Sequence, residues 1–148
     1  MKIHPRAAGG NFRHVLLALG HIRGTFKGCG EVSSTVTDAG SALENRFQVG
    51  DRVVALGCNT YTSAPRVKGK LAQIIPAEIT FSVAASIPAA YLTVYYTLVH
   101  LAHLRPGKTV LIHSAAGGVG IVTVQICKHI GKQVFATVGN DKKKIFLN

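Results

Sequence analysis

The run Thr109-Val110-Leu111-Ile112-His113-Ser114-Ala115-Ala116-Gly117-Gly118-Val119-Gly120 constrains this chain most. An apolar, β-branched segment ends in a glycine turn and passes straight into a helical pattern. Arg105-Pro106-Gly107-Lys108 supplies a turn signal before it. Gly117 and Gly118 carry no Cβ, so the backbone can bend sharply and approach a phosphate. Free N–H groups at the start of the next helix then point at the anion, and the helix dipole favours its charge. Gly120 lets the helix pack close to the strand. The usual dinucleotide fingerprint is G-x-G-x-x-G. Here it reads Ala115-Ala116-Gly117-Gly118-Val119-Gly120, with Ala in the first place. Alone, the pattern equally fits a strand-to-helix turn built from small residues.

The flanking sequence favours the dinucleotide reading. Val119 to Ile130 is apolar on most sides, as a crossover helix buried on a sheet should be. Gly131 is placed to end it, with Lys128 and Lys132 near the negative end of its dipole. Gln133 to Val138 reads as a second strand. Together these make a βαβ unit of about 30 residues. An NAD site usually carries an acidic residue about 20 positions after the turn. The second strand ends Thr137-Val138-Gly139-Asn140 with no carboxylate, and Asp141 comes one step late, after an Asn140 N-cap. Lys142-Lys143-Lys144 suits a 2′-phosphate, which favours NADP over NAD; a solvated basic helix face is the alternative.

Several segments, in order, are similar to a known family. Asn11-Phe12-Arg13-His14-Val15-Leu16-Leu17-Ala18-Leu19-Gly20 resembles the N-F-R/K-D-V-L-x-A-L-G segment of polyketide synthase enoyl reductase domains. Phe47-Gln48-Val49-Gly50-Asp51-Arg52-Val53 resembles that family's F-x-x-G-D-R-V turn. Ala84-Ala85-Ser86-Ile87-Pro88, Leu92-Thr93-Val94-Tyr95-Tyr96, the glycine turn and Phe135-Ala136-Thr137-Val138-Gly139 continue in the same order. The resemblance covers nearly the whole chain and is nearest to fungal highly reducing polyketide synthases, within the medium-chain dehydrogenase/reductase superfamily.

The resemblance implies an α/β fold: a GroES-like β-barrel portion, then an incomplete Rossmann portion with a doubly wound parallel sheet, NADPH lying in the cleft between them. The expected division is 1–80 for the barrel portion, incomplete at its N-terminus, 81–104 for a helical connection broken at Pro88, and 105–148 for the truncated start of the Rossmann domain. Residues up to about 80 are strand-like, with turns at Asp38-Ala39-Gly40 and Gly50-Asp51. The implied reaction is hydride transfer from NADPH to the β-carbon of an α,β-unsaturated acyl thioester, free or on an acyl carrier protein, with protonation at the α-carbon. By position, Asn11 and Thr93 match residues at the nicotinamide end. Ala116, Gly117, Gly118, Val119 and Gly120 match the pyrophosphate turn. Thr137, Gly139, Asn140 and Lys143 match the 2′-phosphate pocket. Asn11 as a turn residue, and Thr93 as a helix residue bonded to its own backbone, are the plainer readings. No catalytic residue is assigned, because the usual Lys and Asp proton donors lie in later segments of the family.

Three departures stand out. His14 replaces the usual Asp, Asn140 replaces Ser or Thr, and the strand Cys29-Gly30-Glu31-Val32-Ser33-Ser34 ends in Ser34 where Gly is usual. Zinc is not expected: Asn11 and Gly30 stand where the zinc alcohol dehydrogenases carry Cys and His. Cys29, Cys58 and Cys127 form no C-x-x-C pair. Cys127 reads as a small apolar packing residue. His100 and His103 share a spacing but read as a solvated helix edge.

Net charge is +11, from 17 Lys and Arg against 6 acids. The basic residues are spread over both ends and no nucleic-acid-binding signature appears, so nucleic acid is not an expected partner. No run is long and apolar enough to span a membrane, because Ala84 to Leu101 is broken by Pro88. The expected setting is the cytoplasm, given the odd cysteine count and the lack of a signal peptide. Two parallel strands leave apolar surface wet. The chain by itself is therefore expected to be unstable, oligomeric or inactive, as part of a larger synthase or as a non-catalytic remnant. A quinone oxidoreductase is the alternative reading, since its glycine turn and Leu-Thr-Val-Tyr-Tyr segment look much the same.

Overall fold

In the computed structural model, residues 1–23, 30–57, 60–105 and 107–147 are described. Cys29, Cys58 and Pro106, which entered the sequence argument, lie outside them. The described residues divide into two units, Met1–Ala89 and Ala90–Asn148.

The first unit is built on β1 (Lys2–Gly9), α1 (Phe12–Ala18), β2 (Gly30–Asp38), β3 (Arg52–Gly57), β4 (Ala72–Ile74) and α2 (Phe81–Ala85), with α3 (Pro88–Val94) beginning at its end. The four strands pair antiparallel in the order β1-β2-β3-β4. Pro65 to Val67 then bonds back to the outer edge of the first strand: Ile3 N–H donates to Pro65 O at 3.2 Å and Val67 N–H to Met1 O at 3.1 Å. The sheet thus curls toward its own beginning. A closed barrel, as the GroES-like reading implied, is not shown among the described residues.

The pleat sorts the central strand β2 into two faces. Val32 and Val36 point into an apolar core with Ile3, Phe47, Val53, Ala55, Val67 and Ala72. Glu31 and Ser33 point the other way. Ser33 Oγ donates to Phe81 O at 2.6 Å, which ties α2 to the sheet. Ser34 shares the apolar face and is fully buried, and its Oγ has no hydrogen-bond partner among the described residues. An orphan buried hydroxyl costs roughly 1–3 kcal/mol. Ser34→Ala should therefore stabilise the protein by about 1 kcal/mol, read from urea denaturation midpoints. An unchanged or lower midpoint would mean that the hydroxyl is satisfied.

The strand-like reading of residues 1–80 needs one correction. Residues 12–18 form α1, a helix that buries no residue. Phe12 and Val15 are exposed. The helical signal is present in the sequence, since Phe12, Val15, Leu16 and Leu19 fall at the i, i+3, i+4, i+7 spacing of one helix face.

The second unit carries most of α3, which runs on as a π-helical stretch Tyr95–Leu101. After it come β5 (Thr109–Ile112), α4 (Gly118–His129), β6 (Gln133–Ala136) and α5 (Asp141–Leu147). β5 and β6 pair in parallel, from Thr109↔Gln133 to Ile112↔Ala136. Ile112, Ala115 and Val124 form a small core, packed by Val110, Val134, Val138 and Leu147. α4 ends as the sequence predicts. Gly131 takes φ +68°, its N–H bonds Lys128 O, and Lys132 N–H reaches back to Cys127 O. That is a Schellman closure, which glycine adopts without strain. Cys127 is buried; burial raises its thiol pKa, partly offset by the charge of Lys132. Leu111 and Phe135 on the two strands remain exposed.

Candidate functional site

The glycine turn forms in the second unit where β5 gives way to α4. Ser114 sits at φ 54°, a left-handed conformation uncommon for a side-chain-bearing residue. Gly117 N–H donates to Ser114 O at 2.8 Å, and Gly117 caps the helix in extended geometry. α4 therefore starts immediately after the bend. The N–H groups of Gly118, Val119 and Gly120 lie in its first turn, where no intrahelical carbonyl is available to them. Gly117, Gly118 and Val119 are exposed, and Ala116 is half-buried.

Two glycines in this turn differ in kind. A Cβ on Gly120 would stand 2.6 Å from Ser114 O and 2.7 Å from Ala115 Cα, inside the backbone of the preceding turn. A Cβ on Gly118 would meet nothing within 4 Å. Gly120 thus serves packing, while the bare face of Gly118 opens outward, as close approach by an anion requires. The residues present fit a dinucleotide pyrophosphate.

Thr137, assigned by sequence to the 2′-phosphate end, also holds the turn in place. Ala115 N–H donates to Thr137 O at 3.0 Å, Thr137 N–H to Ile112 O at 2.9 Å, and Thr137 Oγ1 lies 3.4 Å from Ser114 N. Gly139 and Asn140 follow in the exposed link to α5. Asn140 Oδ1 accepts from Lys143 N–H at 3.0 Å, so it caps α5 as predicted. Asp141 occupies the first turn, and the side chains of Lys142, Lys143 and Lys144 are exposed. Thr93 is an exposed residue of α3 whose carbonyl accepts from Thr97 Oγ1 at 2.8 Å.

Asn11 belongs to the first unit, at the N-terminus of α1. Its N–H donates to His14 Nδ1 at 3.1 Å, and His14 N–H donates to Asn11 O at 2.8 Å. His14 therefore does at the third helical position what an acidic side chain does in a capping box. Asn11 Nδ2 donates to Glu31 Oε1 at 3.3 Å, and the other Glu31 oxygen accepts from Ala89 N–H at 2.7 Å. Glu31 is buried, and no cation pairs with it among the described residues. Tyr61 Oη donates to Gly9 O at 2.5 Å and stands 3.0 Å from His14 Nδ1. Burial and then the Glu31 charge raise the Tyr61 pKa. Glu31 and Tyr61 were not singled out by sequence; the pleat position of Glu31 beside Asn11 becomes visible once register is known.

Among the described residues, no three His, Cys, Asp or Glu side chains gather to hold a metal ion, and no helix is long and apolar enough to cross a membrane.

Comparison with known proteins places this geometry. No protein-family model matches the chain. It is 43% identical over 147 residues to the highly reducing polyketide synthase cm3B of Cordyceps militaris, covering 99% of this chain and 6% of that protein. It is 41% identical over 143 residues to the highly reducing polyketide synthase easB of Emericella nidulans, again spanning 6% of its length. Among solved structures, the CurK enoyl reductase superposes with a TM-score of 0.89 at 36% identity, covering 99% of this chain and 47% of that one. The chain is an enoyl-reductase-like segment of the medium-chain dehydrogenase/reductase family. Quinone oxidoreductase of Escherichia coli, solved in complex with NADPH, is similar to this chain at a TM-score of 0.85 and 31% identity, with 46% of that chain covered. The segment thus spans about half of these solved reductases and a small part of the synthases.

Proposed function

We propose that this chain is the part of an NADPH-dependent enoyl reductase domain that grips the cofactor's phosphates, and that Asn11 and Thr93 serve the role of the nicotinamide-end residues they match. The observation that carries the reading is the glycine turn, with Gly120 packed on backbone and Gly118 open. Ala116 to Gly120 would hold the pyrophosphate through backbone N–H groups. Thr137, Gly139, Asn140 and Lys143 would take the 2′-phosphate, with Lys143 supplying charge. NADPH, once bound, would supply the hydride for an α,β-unsaturated acyl thioester, free or carried on an acyl carrier protein. Hydride transfer is proposed for the whole domain, and cofactor contact for this part of it. Asn11 is held for its role by His14 and Glu31. The expected domain division, 1–80, 81–104 and 105–148, is kept as part of this proposal.

Lys143 gives the direct test. A charge-assisted contact to a phosphate contributes more than a neutral hydrogen bond, so Lys143→Ala should weaken NADPH binding about tenfold. NADH binding should barely change. Fluorescence titration with both nucleotides reads this, and equal losses for the two would contradict the 2′-phosphate assignment.

A quinone reductase is the second reading, favoured by the similarity to the Escherichia coli enzyme. Turnover by the synthase domain containing this segment, compared between a crotonyl thioester and a quinone, separates the two. Preference for the quinone would overturn the thioester reading while leaving the cofactor grip intact.

A further inference from the structure

Glu31 is buried on the face of β2 that looks away from the apolar core. Gly9 pairs with it across the sheet, and the absence of a side chain there makes room for it. A Cβ on Gly9 would run into Glu31 Cγ and stand 2.5 Å from Glu31 Oε1 and from Ala85 O. Both carboxyl oxygens of Glu31 are used, and both meet N–H donors. Oε1 accepts from Asn11 Nδ2 at 3.3 Å, and Oε2 accepts from Ala89 N–H at 2.7 Å. Ala89 offers the first N–H of α3, because Pro88 has none. A carboxylate accepts at both oxygens, whereas an amide of the same shape accepts at one end and donates at the other. The carboxyl group at position 31 therefore decides which way round the Asn11 amide lies. Its nitrogen faces Glu31, and its oxygen and second amide proton are left for other partners.

We infer that Glu31 is a positioning residue for hydride transfer: as a double acceptor it ties the Asn11 amide to the first N–H of α3 and so fixes that amide's orientation. This rests on the reading above that Asn11 serves the nicotinamide end, and it adds the group that sets how Asn11 is presented there. Glu31→Gln isolates the effect, since it keeps size and shape but removes one acceptor. The shorter bond, from the backbone N–H of Ala89, claims the remaining oxygen, so the new NH2 group faces Asn11. Two NH2 groups cannot pair, and the Asn11 amide must turn over to bring its oxygen to that side. The substitution thus reverses the direction of one side chain. A reacting group displaced by about 1 Å can cost roughly a hundredfold in rate.

Turnover of a crotonyl thioester by the synthase domain containing this segment, measured as a double-mutant cycle, tests this. Glu31→Gln should lower kcat about thirtyfold and leave the KM for NADPH within about twofold, because the reading above gives the phosphates to the glycine turn and Lys143. In an Asn11→Ala background the same substitution should cost less than about threefold. A merely structural role would give the same loss in both backgrounds, and that result would overturn this inference alone. An Asn11→Ala domain that turns over at the wild-type rate would instead overturn the reading on which the inference rests. Wild-type protein supplies a second readout that needs no variant. The Asn11 side-chain amide, held on a buried acceptor, should exchange a proton with solvent at least about tenfold more slowly than a free asparagine amide. Exchange at the free rate would mean that Glu31 does not hold Asn11, and would overturn the inference whether or not Glu31→Gln folds.

Discussion

A Gly120→Val variant is expected to lose about 3 kcal/mol of stability in the second unit. The reason is local and backbone-bound. Any Cβ at this position lies 2.6 Å from Ser114 O and 2.7 Å from both Cα and O of Ala115. These are main-chain atoms of a turn held by Gly117, Thr137 and Ile112, so no flexible side chain can move aside. Overpacking of this kind typically costs about 1–3 kcal/mol, and valine adds two methyl groups to the clash. Thermal unfolding should show the loss, with the amide signals of β5, α4 and β6 collapsing first. Gly118→Ala is the informative contrast. Its Cβ meets nothing within 4 Å, so stability should stay within about 0.5 kcal/mol. Nucleotide binding should weaken, because the new methyl occupies the space that a phosphate needs. A Gly120→Val protein of normal stability would mean that α4 does not sit this close to the turn.

The second large effect is expected in the first unit, at Arg52. Its guanidinium donates to three carbonyls, Pro76 O at 3.0 Å, Ala77 O at 2.9 Å and Ile79 O at 2.5 Å. It also stacks over the Phe81 ring at 4.7 Å, and Arg6 approaches the same ring at 5.7 Å. One side chain thus fastens β3 to the segment that leads into α2. Arg52→Ala removes three charged donors and leaves carbonyls without them, a loss of about 3 kcal/mol. Lysine keeps the charge but not the planar fork, so Arg52→Lys should recover less than half of the loss. Urea denaturation followed by circular dichroism reads both. If Arg52→Lys matched wild type, charge rather than fork geometry would be holding the segment.

The glycine turn was legible in sequence because its chemistry is local. Gly120 needs no Cβ, Gly131 needs a left-handed conformation, and Asn140 caps a helix three residues from its partner, all within one short stretch. Arg52 was visible as a motif residue, but its targets lie 24 to 27 positions further on. No local pattern announces such a reach. Glu31 escaped for the same reason, since its partners Asn11 and Ala89 come from distant segments. α1 was legible in the helical spacing of Phe12, Val15, Leu16 and Leu19, but it is one short helix inside a strand-rich stretch and was read with the strands around it. Ser34 was noticed as a departure from Gly; that its hydroxyl faces Val32 and Val36 in the apolar core required the pleat of β2. The order of the family segments carried the rest: each short motif is weak, but their sequence along the chain is shared with synthases at 43% identity.

The central claim is that a phosphate-bearing nucleotide binds at the start of α4. Amide NMR spectra recorded while NADPH is added to the purified protein test it most directly. The account predicts that the amides of Gly118, Val119 and Gly120 shift first and furthest, with Thr137 and Lys143 following, and that NADH moves the turn but leaves Lys143 still. Shifts confined to other surfaces, or a dispersed spectrum that does not respond to NADPH at all, would contradict it.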